Sequence, residues 1–143
     1  MREFSWPARV YWEDTDGGAI VYYANYLRFL ERARTEWLRA QGHSQLALAR
    51  EPGILFTVVS VQVDYRAPAR LDDELEITYA PSTEGAATLR FAQRIYRTGA
   101  VRRAELLVEA QVRVACVDAA TLRPRRLPQF LREAVATEAI ANG

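Results

Sequence analysis

Lysine is missing from this chain: all 19 basic residues are arginine. A Schiff-base lysine and a phosphate-loop lysine are therefore excluded. Arginine is left as the cationic ligand for any phosphate. The single cysteine, Cys116, cannot form an internal disulfide, which fits a reducing compartment. The single histidine, His43, is the base a Ser-His-Asp triad would have to use, and no Gly-x-Ser-x-Gly elbow accompanies it. One His and one Cys on separate elements do not make a zinc set, so no metal is expected. Long hydrophobic runs are lacking too. No window approaches the ~20 apolar residues of a membrane span, and the opening residues carry no apolar signal core. A soluble, cytoplasmic protein is the expectation. The formal net charge of +1 singles out neither nucleic acid nor an acidic membrane as partner. Repeats, low-complexity tracts and linker-like stretches are absent, so the 143 residues are read as one domain, 1–143.

What is present is periodic. Half the residues are hydrophobic, enough for a buried core. Residues 8–12 read as a first strand. From Tyr26 to about Gln41, the residues Tyr26, Leu27, Phe29, Leu30, Ala33, Trp37 and Leu38 follow helical spacing. Asn25 is the expected N-cap and Gly42 the expected C′ residue. Arg32 and Glu36 are spaced as an i,i+4 pair on the polar face. Ser44 caps a short second helix that Pro52-Gly53 ends. The period then switches to two. Val59, Val61, Val63 and Tyr65 alternate with polar residues; so do Leu71, Leu75, Ile77 and Tyr79, then Leu89, Phe91 and Ile95, then Leu106, Val108, Val112, Val114 and Cys116. Turn signals separate these runs at Ala67-Pro68, Pro81 to Gly85 and Thr98-Gly99. Pro128, with Phe130, Leu131 and Val135, predicts a short C-terminal helix. One strand, one long helix and four strands imply an α+β domain, with the helix on one face of an antiparallel sheet.

The chemistry concentrates in residues 13–26, Glu-Asp-Thr-Asp-Gly-Gly-Ala-Ile-Val-Tyr-Tyr-Ala-Asn-Tyr. A carboxylate in a glycine turn can come close to the free N–H groups of a helix N-terminus. The carboxylate can act as base or nucleophile, and helix-end amides can stabilise an oxyanion. From residue types alone, Asp16 is either such a group or an Asx-turn residue shaping the turn. Asp14 and Glu13 read as structural or solvated. Gly17 and Gly18 supply positive φ or close backbone approach. Val21, Tyr22 and Tyr23 could supply the partial desolvation a basic aspartate needs. His43 follows Gly42, where a helix-capping role is expected, and Cys116 lies on an apolar strand face.

The element order and the motif resemble hotdog-fold acyl-CoA thioesterases of the 4-hydroxybenzoyl-CoA type, most nearly the branch found with the bacterial Tol–Pal envelope system. The resemblance extends to Glu31-Arg32-Ala33-Arg34-Thr35-Glu36, to Tyr65 through Asp73, and to Val117-Asp118 with Arg123-Pro124-Arg125 before Leu127-Pro128. It implies a five-stranded antiparallel sheet wrapped around one long helix. It implies that Asp16 is the catalytic aspartate and that the backbone N–H of Tyr23 polarises the thioester carbonyl. Members of the Tol–Pal branch commonly carry His where this chain has Tyr23, as the 4-hydroxybenzoyl-CoA enzymes do not.

The resemblance also implies edge-to-edge pairing into a homodimer or homotetramer. Asp16 and the turn residues Gly17 and Gly18 of one subunit would then meet Val58, Val59 and Ser60 of its partner. Arg32, Arg34 and Arg39 read as a solvated helix face. Arg66, Arg70, Arg90, Arg94, Arg97, Arg102 and Arg103 fall on strands or at turns, where a guanidinium holds either a CoA phosphate or a surface charge; Arg90 is carried as a substrate-binding candidate together with Gly17, Gly18, Val58, Val59 and Ser60. The expected substrate is an acyl-CoA, with CoA as part of the substrate and no cofactor. A hotdog dehydratase would pair a His with an acid, and His43 stands outside the motif. The alternative from another class is a noncatalytic partner of an acyl carrier protein or of an envelope complex, using the same pocket.

Overall fold

The computed structural model describes residues 4–142, with side chains described through residue 138. Five strands form one antiparallel sheet: β1 (Ser5–Arg9), β2 (Ile54–Tyr65), β3 (Glu74–Glu84), β4 (Thr88–Thr98) and β5 (Glu105–Asp118). Their order is β1-β3-β4-β5-β2, so β1 and β2 are the two edges. Helix α1 (Tyr26–Ala40) lies across one face, α2 (Gln45–Arg50) follows it, and α3 (Gln129–Asn142) packs beside β3. This is the α+β arrangement that the pattern implied, and the five-stranded sheet with one long helix that the resemblance implied.

The helical stripe becomes the core. Tyr26, Phe29, Leu30, Ala33, Trp37 and Leu38 are buried on α1. They join Leu75, Ile77 and Tyr79 of β3, Leu89, Phe91 and Ile95 of β4 and Val108, Val112 and Cys116 of β5 in one cluster. Trp37 is the hub, edge-on to Tyr79 at 5.5 Å and to Phe91 at 6.3 Å. Each fully buried large side chain contributes roughly 1.5–3 kcal/mol. Gly42, at φ 90°, ends the helix as expected, and His43 N–H closes the last turn on Leu38 O at 3.2 Å. Ser44 caps α2 by accepting Ala47 N–H at 3.1 Å.

Several local expectations change. The first strand is Ser5–Arg9, three residues earlier than read, and Trp12–Asp14 form a 3-10 turn. Tyr11 and Trp12 are therefore exposed. Leu27, counted with the apolar stripe, is also exposed. Strand β2 begins at Ile54, and the register slips between Val58 and Ser60, so Val59 is a bulge residue. A second slip sets Ile95 opposite Val108 and Tyr96 opposite Leu106; Leu107 turns inward and is fully buried. The C-terminal helix is 14 residues long rather than short. Glu36 pairs with Arg39, whereas Arg32 lies over the Phe29 ring at 5.7 Å.

Candidate functional site

Residues 15–21 fold into a small hairpin leaning on the segment before β3. Thr15 bridges Val21 and Ile20 bridges Arg70. Val21 N–H donates to Ala69 O and Leu71 N–H to Ala19 O, each at 2.9 Å. Gly17 takes φ 89°, a left-handed conformation that glycine alone adopts cheaply. Gly18 donates its N–H to Asp16 Oδ1 at 3.1 Å, which is an Asx turn. Both readings of Asp16 thus meet in one residue: its carboxylate shapes the turn and also stands exposed at the tip.

Asp14, two residues away, does the opposite. It is 5% exposed, accepts Tyr11 N–H at 2.8 Å and takes the Asn25 Nδ2 donor at 2.9 Å. Its carbonyl accepts Tyr22 N–H at 3.0 Å. This carboxylate is the structural pin of the site, tying the loop to the helix start. Asn25 is therefore no side-chain N-cap; its backbone is already helical, and its amide is committed to Asp14.

A 3-10 turn, Tyr23–Asn25, leads into α1. Tyr23 opens it, so its N–H has no acceptor within the turn. The Tyr23 side chain is 63% exposed, and Tyr22 lies tilted against it at 4.9 Å. The interaction with Tyr23 raises the Tyr22 pKa, with burial and the Asp16 carboxylate adding to it.

The turn faces an aromatic cleft of about 300 Å³ lined by Ile20, Val21, Tyr23, Tyr26, Tyr65 and the 66–68 segment. Tyr65 Oη donates to Tyr23 O at 3.0 Å. Tyr26 Oη accepts Ala69 N–H at 2.9 Å. Burial pushes both phenols up, so both stay neutral at ordinary pH. Sequence reasoning counted Tyr26 and Tyr65 only as apolar positions. The available signal was tyrosine, rather than an aliphatic residue, at the helix start and at the strand end nearest the motif. Arg97 braces the support of the hairpin: Nε donates to Asp73 Oδ2 at 2.9 Å, Nη2 to Pro68 O at 2.6 Å, and Nη1 pairs with Glu105.

Within one chain the other named residues are elsewhere. Val58, Val59 and Ser60 lie along the β2 edge, exposed, and several residues before Tyr65. Arg90 projects from the sheet face opposite α1, opposite Ser82 in β3 and Arg113 in β5. That is eight ladder positions from Glu74, roughly 26 Å at ~3.3 Å per residue. Arg66 borders the cleft but is engaged by Glu109 at 2.8 Å. Arg94, Arg102 and Arg103 likewise pair with Glu109 or Glu76. Arg34, expected on the solvated helix face, is instead half-buried against Gln93 and Phe91. The desolvation expected for Asp16 is not supplied by one chain, since Tyr22 and Tyr23 are exposed. His43 stacks its ring on Phe130 at 3.7 Å, so packing against α3 is its side-chain role. Cys116 is fully buried, and burial pushes its thiol pKa up, away from reactivity. Among the described residues no group of three potential ligands is placed to hold a metal.

The family model for the thioesterase-like superfamily matches residues 10–135. Over 128 residues the chain is 48% identical to the acyl-CoA thioester hydrolase YbgC of Escherichia coli O6:H1, covering 90% of this chain and 92% of that protein. It is 42% identical over 131 residues to the acyl-CoA thioesterase YbgC of Haemophilus influenzae, covering 92% and 93%. The crystal structure of Slr0204, a 1,4-dihydroxy-2-naphthoyl-CoA thioesterase from Synechocystis, superposes with a TM-score of 0.84 at 24% identity, over 94% of this chain and 96% of that one.

Proposed function

The chain belongs to the thioesterase-like superfamily and is an acyl-CoA thioesterase, and from that premise we propose that Asp16 and the Tyr23 N–H carry out the hydrolysis. The observation that carries this reading is an exposed carboxylate, held in an Asx turn by Gly18, on the short hairpin that leads directly into the Tyr23 turn, where Tyr23 lines a small aromatic cleft. The thioester carbonyl oxygen takes the Tyr23 N–H. Negative charge developing on that oxygen is stabilised there by the helix-end amide. Asp16 either takes a proton from water as the water oxygen bonds to the carbonyl carbon, or attacks that carbon to give a mixed anhydride that water then opens. In both routes the C–S bond breaks, and CoA leaves as a thiolate that collects a proton. The thiolate is a good leaving group, so no strong acid is required. Water is the co-reactant, CoA is part of the substrate, and neither metal nor redox cofactor enters a step.

The active form in this proposal is a homodimer, or a homotetramer built from two dimers, in the cytoplasm. The two sheet edges differ. β1 is five residues long and contains Pro7, which blunts it. β2 is 12 residues long, contains no proline and exposes Val58, Val59 and Val61. Pairing β2 with a second copy covers this apolar edge. It brings the partner's strand toward the Asp16 turn and supplies the desolvation that a single chain lacks. Free-thiol release from a panel of acyl-CoA thioesters tests the activity. Single-turnover hydrolysis in ¹⁸O-water locates the attack of water: label entering Asp16 supports the nucleophilic route with the anhydride opened at the Asp16 carbon, and label confined to the product acid places the new C–O bond at the acyl carbon. Tight binding of an acyl carrier protein with no thioester turnover would overturn the catalytic reading in favour of a binding protein.

A further inference from the structure

A groove of about 350 Å³ between α1 and β2 ends on a half-buried cation. Its walls are apolar: Leu27 and Leu30 from the helix, Val58 and Val61 from β2, Val112 from β5. Arg28 and Glu31 stand exposed at the rim, whereas Arg34 is turned inward. Beyond Arg34 lies a smaller apolar cavity of about 50 Å³, walled by Trp37, Leu38, Phe56, Leu89 and Phe91 among others. Arg34 is the residue the two linings share, so its side chain is the partition between them.

That partition is charged and weakly compensated. Nη1 donates to Gln93 Oε1 at 3.0 Å, and the guanidinium lies 6.0 Å from the Phe91 centroid. Gln93, 1% exposed, is oriented by its own donation to Leu30 O at 3.1 Å. Among the described residues no carboxylate is in ion-pair contact with Arg34. Burial lowers its pKa, and Glu31 offsets this only from a distance. A guanidinium carries five donors, and Gln93 satisfies one direction of them. The rest are left to whatever fills the groove.

We propose that Arg34 is the specificity-determining residue for the acyl group: it closes the far end of the α1–β2 groove, limits it to short chains, and favours acyl groups whose distal end carries an oxygen acceptor. This rests on the thioesterase reading above and on its dimer, in which Val58 of one subunit meets the Asp16 turn of the other, so that an acyl group held at that turn enters the groove beside Val58. An aliphatic chain long enough to reach Arg34 strips water from the cation and returns no acceptor, which is unfavourable. A distal hydroxyl or carboxylate returns one.

The test compares kcat/KM for wild type, Arg34→Met and Arg34→Ala, read by free-thiol release. The substrates are straight-chain thioesters from acetyl-CoA to dodecanoyl-CoA, and two matched pairs, butanoyl-CoA with succinyl-CoA and hexanoyl-CoA with adipoyl-CoA. Wild type should favour the oxygen-bearing member of a pair by about tenfold or more. Arg34→Met, similar in length but uncharged, should abolish that preference. Arg34→Ala should join groove and cavity and move the optimum to longer chains. Each readout is a ratio between substrates on one preparation, so a partly unfolded variant is still informative. A preference retained in Arg34→Met, or a chain-length optimum unmoved in Arg34→Ala, overturns the inference while leaving the thioesterase reading intact. Wild type inert toward every thioester overturns that reading, and the inference with it.

Discussion

Asp14 and Asp16 show how much two positions change a carboxylate. One is buried under two donors; the other stands at the tip of a glycine turn. Asp16→Asn should cost about 10²–10⁴-fold in kcat with the fold and assembly unchanged, because the swap removes the base and the nucleophile but keeps the shape. Asp14→Asn should act on stability first. It replaces a double acceptor by a group that offers N–H to a donor, a loss of roughly 1–3 kcal/mol in urea unfolding, with the smaller effect on turnover. Near-full kcat in Asp16→Asn, with turnover lost in Asp14→Asn, would show that the roles are exchanged. At Tyr23 the backbone, not the ring, is assigned the work. Tyr23→Phe should keep substantial activity and Tyr23→Pro should lose most of it, since proline has no N–H. A Tyr23→Phe enzyme as inactive as Asp16→Asn would transfer the role to the hydroxyl.

At the scale of elements, the periods of 3.6 and 2 made the helix and the last strands legible, because burial of one face follows directly from local geometry. Ion pairs and bulges were not legible. Arg32 could reach Glu36 or lie on Phe29, and a flexible side chain is decided by the neighbours it meets, here the Phe29 ring. The bulge at Val59 depends on how β2 registers against β5, which no pattern within β2 encodes. Strand β3 carries a further consequence. Glu76 lies on its outer face, nearly buried, held by Arg102 at 2.8 and 2.9 Å and by Arg103 at 2.9 Å. Burial alone pushes this carboxyl up; the bonds and charges of the two arginines outweigh it and hold the pKa below the ordinary value. A depressed folded-state pKa gives stability that is fully present above the unfolded value of about 4.3 and is lost as pH falls through the folded one. Thermal unfolding followed from about pH 6 down to about pH 3 should therefore fall less steeply in Glu76→Gln than in wild type. Superimposable acid limbs would assign the acid sensitivity to other carboxylates.

The whole molecule poses the question of the uncovered edge. A 12-residue strand with three exposed valines is an unusual surface for a chain of 16.2 kDa standing alone. Light scattering at micromolar concentration should give two or four times that mass. A fully active monomer would sink both the assembly and the shared site. The geometry makes the same point: the Asp16 hairpin lies toward the Tyr65 end of β2, Val58 to Ser60 lie midway along the strand, and one chain does not bring them together.

Chain order and residue type by themselves determined the α+β class, the long helix with its buried stripe, the Asp-Gly-Gly turn and the burial of Cys116. Each follows from local rules: side-chain period sets which face is buried, and positive φ selects glycine at Gly17. The tertiary structure alone decided that Asn25 serves Asp14 rather than its own helix, that Tyr65 holds Tyr23, that Arg34 turns inward to Gln93, and that Asp16 stays exposed in a single chain. Those outcomes join residues distant in the chain. They are set by which segments pack together and by the reach of long polar side chains, and neither quantity is carried by the period of any one element.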